Sequence, residues 1–211
     1  MALTDLHWEA TPPGVREAYE TVSLVLGEEE FYLAGGTALA LLEAHRLSAD
    51  LDLFAPAIGD PMVLAGRLKR FAEEVMVLAT APETLYMSIG GIQVSFIGSS
   101  YPLLAPPLQP DEGKIPLASR DDIAAMKLAA VASRGARKDF IDLWVLITRH
   151  RGLGEYLALY QKKYRADAGH VVRSLAFFDD ADREPPLRLL ADIDWKQVKE
   201  NFESWIDAVL R

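Results

Sequence analysis

Two aspartates separated by one residue are the clearest candidates for chemistry in this chain. Asp50 and Asp52 lie in the alternating segment DLDLFA, a pattern typical of a strand. Side chains alternate along a strand, so both carboxylates share one face, about 6.6 Å apart at Cα, while Leu51 and Leu53 face a core. Two carboxylates this close repel each other unless a cation lies between them. Oxygen ligands with open coordination positions suit Mg²⁺, which completes its shell with water and substrate phosphate.

A pair of glycines, Gly35 and Gly36, precedes the aspartates and ends the apolar run FYLAGG. Without Cβ atoms this backbone can approach a ligand closely, and amides at a helix N-terminus favour anions. Thr37 is predicted to cap the helix TALALLEA that follows. Alone, a glycine pair is an ordinary turn and a DLD motif an ordinary strand edge. Together, with a helix between them, they predict a site for a nucleoside triphosphate.

The elements that must position these motifs divide the chain into a mixed half and a helical half. Alternating or apolar runs predict strands at residues 31–34, 50–55, 75–80, 84–90 and 92–98, the last two joined as a hairpin across Gly90 and Gly91. Residues 101–118 contain five prolines, which predicts a domain boundary. We therefore expect an α+β fold: a small mixed β-sheet flanked by helices in residues 1–118, then a helical C-terminal half in residues 119–211.

Composition excludes several classes of protein. The 211 residues include no cysteine, which rules out a disulfide scaffold, a thiolate metal site and a cysteine nucleophile. Apolar runs end well before the length needed to span a bilayer. The first ten residues, MALTDLHWEA, lack the basic and apolar regions of a secretory signal. We expect a cytoplasmic protein with no membrane partner.

Charge is unevenly distributed along the chain. With 22 Lys and Arg against 31 Asp and Glu, the formal charge is -9, which argues against indiscriminate nucleic-acid binding. Residues 134–173 nevertheless contain nine basic and four acidic side chains, a local charge of +5. This segment could attract an RNA acceptor. Solvated helix faces explain the same count equally well.

Three segments together resemble a known family. The stretch GGTALALLEAHRLSADLDLF, residues 35–54, resembles the Gly-Gly-(Ser/Thr)…Asp-x-Asp signature of DNA polymerase β-like nucleotidyltransferases. Residues 123–147, a lysine-containing helix followed by Arg-x-Lys-Asp, and residues 174–186, SLAFFDDADREPP, are similar to the AbiEii/AbiGii toxin family of that superfamily. The resemblance covers roughly residues 30–206 and implies a nucleotidyltransferase-like sheet with the helical half completing the active-site cleft.

The resemblance also implies roles for individual residues. Asp50 and Asp52 are expected to bind catalytic Mg²⁺. The triphosphate of the incoming NTP is expected to be held by Gly35, Gly36 and Thr37. Lys127, as a further catalytic residue, and Lys138 are expected to contact phosphates, with Asp139 completing the Arg-Lys-Asp cluster. Family members transfer a nucleotide to a macromolecule such as a tRNA acceptor end, and growth stops until a cognate antitoxin intervenes.

One departure from the superfamily pattern affects the expected catalysis. A third carboxylate on a following strand generally helps to bind the metal, but the aligned position in IQVSF holds Ser95. A hydroxyl is a poorer magnesium ligand than a carboxylate. Asp139 is a candidate to replace it in that role. The alternative to a working nucleotidyltransferase, acting on an RNA or a protein, is a catalytically impaired nucleotide-binding regulatory module. A third interpretation is an unrelated α+β domain in which both motifs are structural.

Several other residues have competing interpretations. Arg46 and Ser48 could contact the triphosphate, or they could pair with a carboxylate and close a loop. Lys138 and Asp142 are spaced as a surface i,i+4 ion pair. Five aromatic residues could stack on bases, but their helical spacing favours core packing: Phe177, Phe178, Trp195, Phe202 and Trp205.

Overall fold

The computed structural model describes residues 6–27, 29–72, 74–110 and 115–211. The prediction that the N-terminal segment MALTDLHWEA is not a secretory signal falls partly on residues 1–5, which lie outside the described residues. The described residues form two compact units. One comprises the described residues of Met1–Tyr101 and Pro106–Ala118, and the other comprises Pro102–Ala105 and Ser119–Arg211.

A mixed sheet forms the centre of the first unit, with the strand order β1-β2-β5-β4-β3. Its strands are β1 (Tyr32–Ala34), β2 (Leu51–Ala55), β3 (Val75–Ala81), β4 (Thr84–Ile89) and β5 (Ile92–Gly98). Strands β2 and β5 run parallel, and the other neighbouring pairs are antiparallel. The predicted hairpin is confirmed, because Gly90 and Gly91 join β4 to β5 with positive φ angles of 56° and 79°.

Helices of the first unit cover the sheet with their apolar residues. They are α1 (Val15–Leu26), α2 (Gly35–Glu43) and α3 (Pro61–Leu68), preceded by a 3-10 turn at Trp8–Ala10. Helix α2 packs against β1 and β2, and α3 packs against β3, β4 and α1. Strand β2 alternates as predicted: Leu51 and Leu53 are buried, whereas Asp52 between them is half-buried. The sheet and its helices confirm the predicted α+β class.

The second unit is helical. Its elements are α4 (Arg120–Arg134), α5 (Arg137–Arg149), α6 (Leu153–Tyr164), α7 (Gly169–Leu175), α8 (Asp179–Arg183) and α9 (Trp195–Leu210). Helices α4 and α9 each contact α5, α6 and α7. Ser119 caps α4, accepting a hydrogen bond from the Asp122 N–H at 3.0 Å. No helix in the described part of the chain has the length and apolar character to cross a bilayer.

A buried ion pair joins α4 to α6 within the helical unit. Asp122 Oδ1 lies 2.8 Å from Lys163 Nζ, and their side chains are 0% and 4% exposed. Lys163 also donates to the Pro102 carbonyl oxygen at 2.9 Å, and the N–H groups of Leu104 and Ala105 donate to the Asp122 carboxylate. These bonds compensate the desolvation of both charges. The pair therefore fixes the entry of the chain into this unit.

We predict that Lys163→Met destabilises the protein by about 3–5 kcal/mol, because it leaves the Asp122 carboxylate buried without its cation. The matched control is Lys162→Met, which removes an exposed lysine from the same helix and is expected to change stability by less than about 0.5 kcal/mol. Urea unfolding followed by circular dichroism measures both. Equal unfolding midpoints for the two variants would contradict a stabilising role for the pair.

Candidate active site

A close approach between a glycine and an aspartate forms the first part of the site. Helix α2 begins at Gly35, directly after β1, and Ala34 pairs with Asp52 across the β1–β2 ladder. Gly35 has a φ of +70°, a conformation that other residues rarely adopt. A Cβ added there would lie 2.6 Å from Asp52 Oδ2. Both constraints require glycine, so the first turn of α2 contacts the Asp52 carboxylate.

The second glycine of the pair contacts a different group. A Cβ added at Gly36 would collide with the Arg46 guanidinium and would lie 3.1 Å from Ser48 Oγ. Arg46 is 4% exposed, and its Nη1 donates to the Leu47 carbonyl oxygen at 3.0 Å. The structure therefore brings Arg46 and Ser48 to the N-terminus of α2, where the first backbone N–H groups lack intrahelical partners.

Thr37 connects the two motifs, although not as the predicted helix cap. The N-cap of α2 is Ala34, because the helix begins at the glycines rather than after them. The Thr37 hydroxyl instead donates to the Asp50 carbonyl oxygen at 2.5 Å and is hydrogen-bonded to the Ser48 hydroxyl at 2.9 Å. These bonds fix the first turn of α2 to the chain that enters β2.

The two aspartates differ in exposure. Asp50 is exposed just before β2, and Asp52 is half-buried within it. The parallel β2–β5 register places Ser95 opposite Asp52, and the Ser95 hydroxyl donates to Asp52 Oδ1. Among the described residues no group of three or more His, Cys, Asp or Glu side chains could hold a metal. The Asp52 carboxylate with the Ser95 hydroxyl, and the exposed Asp50 carboxylate just before the strand, are oxygen donors only, the type that Mg²⁺ takes together with water.

The helical unit holds the other predicted site residues. Lys127 Nζ lies 2.9 Å from Asp139 Oδ1 and 2.6 Å from Asp142 Oδ2, and all three side chains are buried. Arg134 Nε lies 2.6 Å from Asp139 Oδ2. Lys127 and Asp139 therefore belong to one buried ion cluster. The predicted contact of Lys127 with phosphate stays a prediction.

The expected surface pair of Lys138 with Asp142 is wrong. Asp142 is fully buried and pairs with Lys127, because Asp139 and Asp142 lie three residues apart and so present both carboxylates to α4. Lys138 is half-buried and forms no ion pair within the described part of the chain. The i,i+3 spacing of the two aspartates was the sequence signal for this cluster.

Asp139 stays ionised in its buried position. Burial acts to raise the pKa of Asp139, but hydrogen bonds from Arg134 and Lys127 and the positive charges of both residues outweigh it. The pKa of Asp139 consequently lies below its usual value.

Comparisons with known proteins identify the family of this chain. The family model described as nucleotidyl transferase AbiEii toxin, type IV toxin–antitoxin system, matches residues 18–95 and 92–208. An uncharacterised protein of Aquifex aeolicus (strain VF5) is 38% identical over 194 residues, which cover 89% of this chain and 92% of that protein. The family match rules out the interpretation as an unrelated α+β domain.

Two solved structures share the fold. A crystallised H. pylori protein described as a nucleotidyltransferase has a TM-score of 0.56 at 14% identity, over 92% of each chain. MenT4, a nucleotidyltransferase toxin of Mycobacterium tuberculosis H37Rv, has a TM-score of 0.54 at 17% identity, also over 92% of each chain. On the family match, this chain belongs to the AbiEii nucleotidyltransferase toxin family and is a nucleotidyltransferase by class.

Proposed function

We propose that this protein transfers a nucleotide from an NTP to a macromolecular acceptor, an RNA or a protein, in a reaction that depends on Mg²⁺. The observation that supports the proposal is the contact of the α2 N-terminus with the Asp52 carboxylate at Gly35. Binding a triphosphate requires hydrogen-bond donors for its oxygen atoms and a cation that neutralises its negative charge. This corner offers helix amides, a buried arginine and two carboxylates within adjacent elements.

Each residue of the corner has a task in this reaction. Asp50 and Asp52 hold the metal, and Gly35 and Gly36 admit the phosphates to the helix amides. Thr37 keeps the two motifs together through its hydrogen bond to the Asp50 carbonyl oxygen. Arg46 and Ser48, at the same helix end, are the residues that we propose to contact the triphosphate. For Lys127, Lys138 and Asp139, we keep the phosphate-contacting roles that the family resemblance implies.

The chemistry is an in-line displacement at the α-phosphorus. An acceptor hydroxyl oxygen forms a bond to that phosphorus, the bond from phosphorus to the bridging oxygen breaks, and pyrophosphate leaves while the acceptor proton passes to water. Bound Mg²⁺ supplies neutralisation of the charge that develops on the attacking and leaving oxygens. The protein contributes by orienting the triphosphate and by keeping dipoles fixed toward it.

The biological role that we propose is that of the toxin in a toxin–antitoxin pair. The matching family model describes a type IV toxin–antitoxin system. A cognate antitoxin is therefore the expected protein partner, and a cytoplasmic location stays a prediction.

We predict that Asp52→Asn lowers transfer at least about 100-fold, because a neutral amide is a much weaker ligand for Mg²⁺ than a carboxylate and the charge that develops on the phosphates is then poorly stabilised. Asp207→Asn, at an exposed aspartate of α9, is the matched control and should retain wild-type activity. The assay incubates the protein with each α-labelled NTP, Mg²⁺ and either total tRNA or candidate proteins, with EDTA as the metal-free arm. Equal labelling by the wild type and Asp52→Asn would contradict the proposal.

We predict that Gly36→Ala weakens nucleotide binding without unfolding the protein. The added methyl group displaces the Arg46 guanidinium from the helix end, and a side-chain end can move while the backbone stays in place. Gly66→Ala, where a Cβ meets nothing within 4 Å, is the control. Thermal shift with ATP, CTP, GTP and UTP plus Mg²⁺ measures binding, since a ligand of the folded state raises its stability. If NTP with Mg²⁺ raises the Tm of Gly36→Ala as much as that of the wild type, Arg46 and the glycine corner are not part of the nucleotide site.

A second candidate function is a nucleotide-binding regulatory module with impaired catalysis. The specific observation is that Ser95, rather than a carboxylate, faces Asp52 from β5 and donates a hydrogen bond to it. A site with two acids could hold Mg²⁺ and an NTP without activating the acceptor hydroxyl.

Ser95→Asp separates the two candidates. If a third carboxylate is missing from an impaired site, this variant gains transfer activity over the wild type. If the serine belongs to a working site, the variant loses activity, because it replaces a hydrogen bond to Asp52 with like-charge repulsion. The labelled-NTP assay measures both outcomes, and Ser95→Ala reports the effect of losing the hydrogen bond alone. Transfer by the wild type that falls in Ser95→Asp rejects the regulatory module.

A further inference from the structure

An open cleft of about 370 Å³ lies within the helical unit. The end of α4 and the segment from α7 to α8 line it, including Ser133, Arg134, His170, Arg173, Phe177 and Asp180. The volume is within the range of pockets that bind one small ligand. None of these residues belongs to the glycine–aspartate corner. The cleft therefore needs an explanation of its own.

Arg134 supplies a fixed cation on the wall of this cleft. Its Nε and Nη2 donate to the fully buried Asp139 carboxylate at 2.6 and 2.9 Å, while 54% of the arginine side chain is exposed. Lys127 holds the same carboxylate from inside the protein. Because the carboxylate is immobile, the guanidinium does not lose much conformational freedom when an anion binds against its exposed part.

Arg173 and Phe177 supply a second cation and an aromatic surface. Arg173 is exposed on α7 and forms no ion pair among the residues that the structure describes. Phe177, expected to be in the core, is 54% exposed just after the end of that helix, whereas the neighbouring Phe178 is 9% exposed. That expectation is wrong for Phe177 because the helix ends at Leu175, so its period does not continue. An exposed ring beside an arginine suits stacking on a nucleobase.

We propose that this cleft binds one nucleotide of a single-stranded RNA, with a phosphodiester between Arg134 and Arg173 and a base on Phe177. The local charge favours a phosphodiester over a triphosphate. Asp139 offsets Arg134, and Asp180, whose carboxylate lies 3.7 Å from the Arg183 guanidinium, also lines the cleft, so the net positive charge of the lining is small. One negative charge fits such a site, and the four charges of a free NTP do not. Naming this RNA as the acceptor rests on the proposed function, whereas the binding itself does not.

Fluorescence anisotropy with a labelled single-stranded oligoribonucleotide, measured on the full chain at several salt concentrations, tests the inference. Phe177→Ala is expected to weaken binding about 5- to 100-fold with an unchanged salt slope, because it removes stacking and no charge. Arg173→Ala is expected to weaken binding and to reduce the salt slope by about one. Arg188→Ala removes another exposed arginine of the same unit, outside the cleft lining, and is the matched control.

Three outcomes would overturn the inference. Equal weakening by Arg173→Ala and Arg188→Ala would show general electrostatic attraction rather than a site. Wild-type affinity in both cleft variants would exclude RNA from the cleft. A free NTP that competes with the RNA only when Arg173 is present would assign the cleft to mononucleotides. Arg173 and Phe177 are both exposed, so their variants are expected to fold, and thermal melts followed by circular dichroism test this.

The proposed function fails by a different result. RNA that binds the cleft with no nucleotide transferred to it supports the inference and counts against RNA transfer. Conversely, Arg173→Ala and Phe177→Ala could transfer nucleotide to a protein acceptor at the wild-type rate and bind RNA no more weakly than the wild type does. That result rejects the inference and leaves the proposed nucleotidyl transfer intact. Asp52→Asn should bind the oligoribonucleotide as the wild type does, which separates the two sites.

Discussion

The missing side chain of Gly35 is the constraint on which the candidate active site depends. Because no Cβ stands between the α2 N-terminus and Asp52, backbone amides and a carboxylate can approach one substrate together. The approach is set by the ladder between β1 and β2, in which Ala34 pairs with Asp52. Main-chain pairing therefore sets where the glycines and Asp52 meet, and the hydroxyl groups of Thr37 and Ser95 add hydrogen bonds to Asp50 and Asp52. Such preorganisation is the largest contribution a protein makes to phosphoryl-group chemistry.

Buried ion pairs play the corresponding role in the helical unit. Asp122 with Lys163, and Asp139 and Asp142 with Lys127, each join two helices. Burying these charges costs free energy that only complete pairing compensates, so each cluster specifies how its helices meet. Because these lysines are buried in ion pairs, fewer basic side chains remain on the surface to contact a nucleic acid. Lys163 lies inside the +5 segment of residues 134–173 yet is buried, so surface binding must rely on fewer residues, Arg173 among them.

Much of the fold could be predicted from periodicity, because periodicity reports which side of an element is buried. The strand alternation at Asp52 and the hairpin at Gly90 and Gly91 both follow from local rules, and the structure agrees. Partners distant in sequence could not be predicted this way. The spacing of Asp142 from Lys138 predicts an i,i+4 ion pair. Asp142 instead pairs with Lys127, because its face of α5 is buried against α4. Thr37 fits a cap, but Gly35 tolerates a positive φ, and the helix therefore starts earlier.

The exchange of a carboxylate for Ser95 changes the balance of charge at the centre of the site. A third acid beside Asp50 and Asp52 would add repulsion that only a bound cation relieves, so such a site depends on metal for its stability. A serine donates a hydrogen bond to Asp52 Oδ1 instead and holds the carboxylate with Oδ2 toward Gly35. The corner thus keeps its arrangement before substrate arrives. The consequence is that the Asp52 carboxylate needs no cation to hold its orientation toward the first turn of α2.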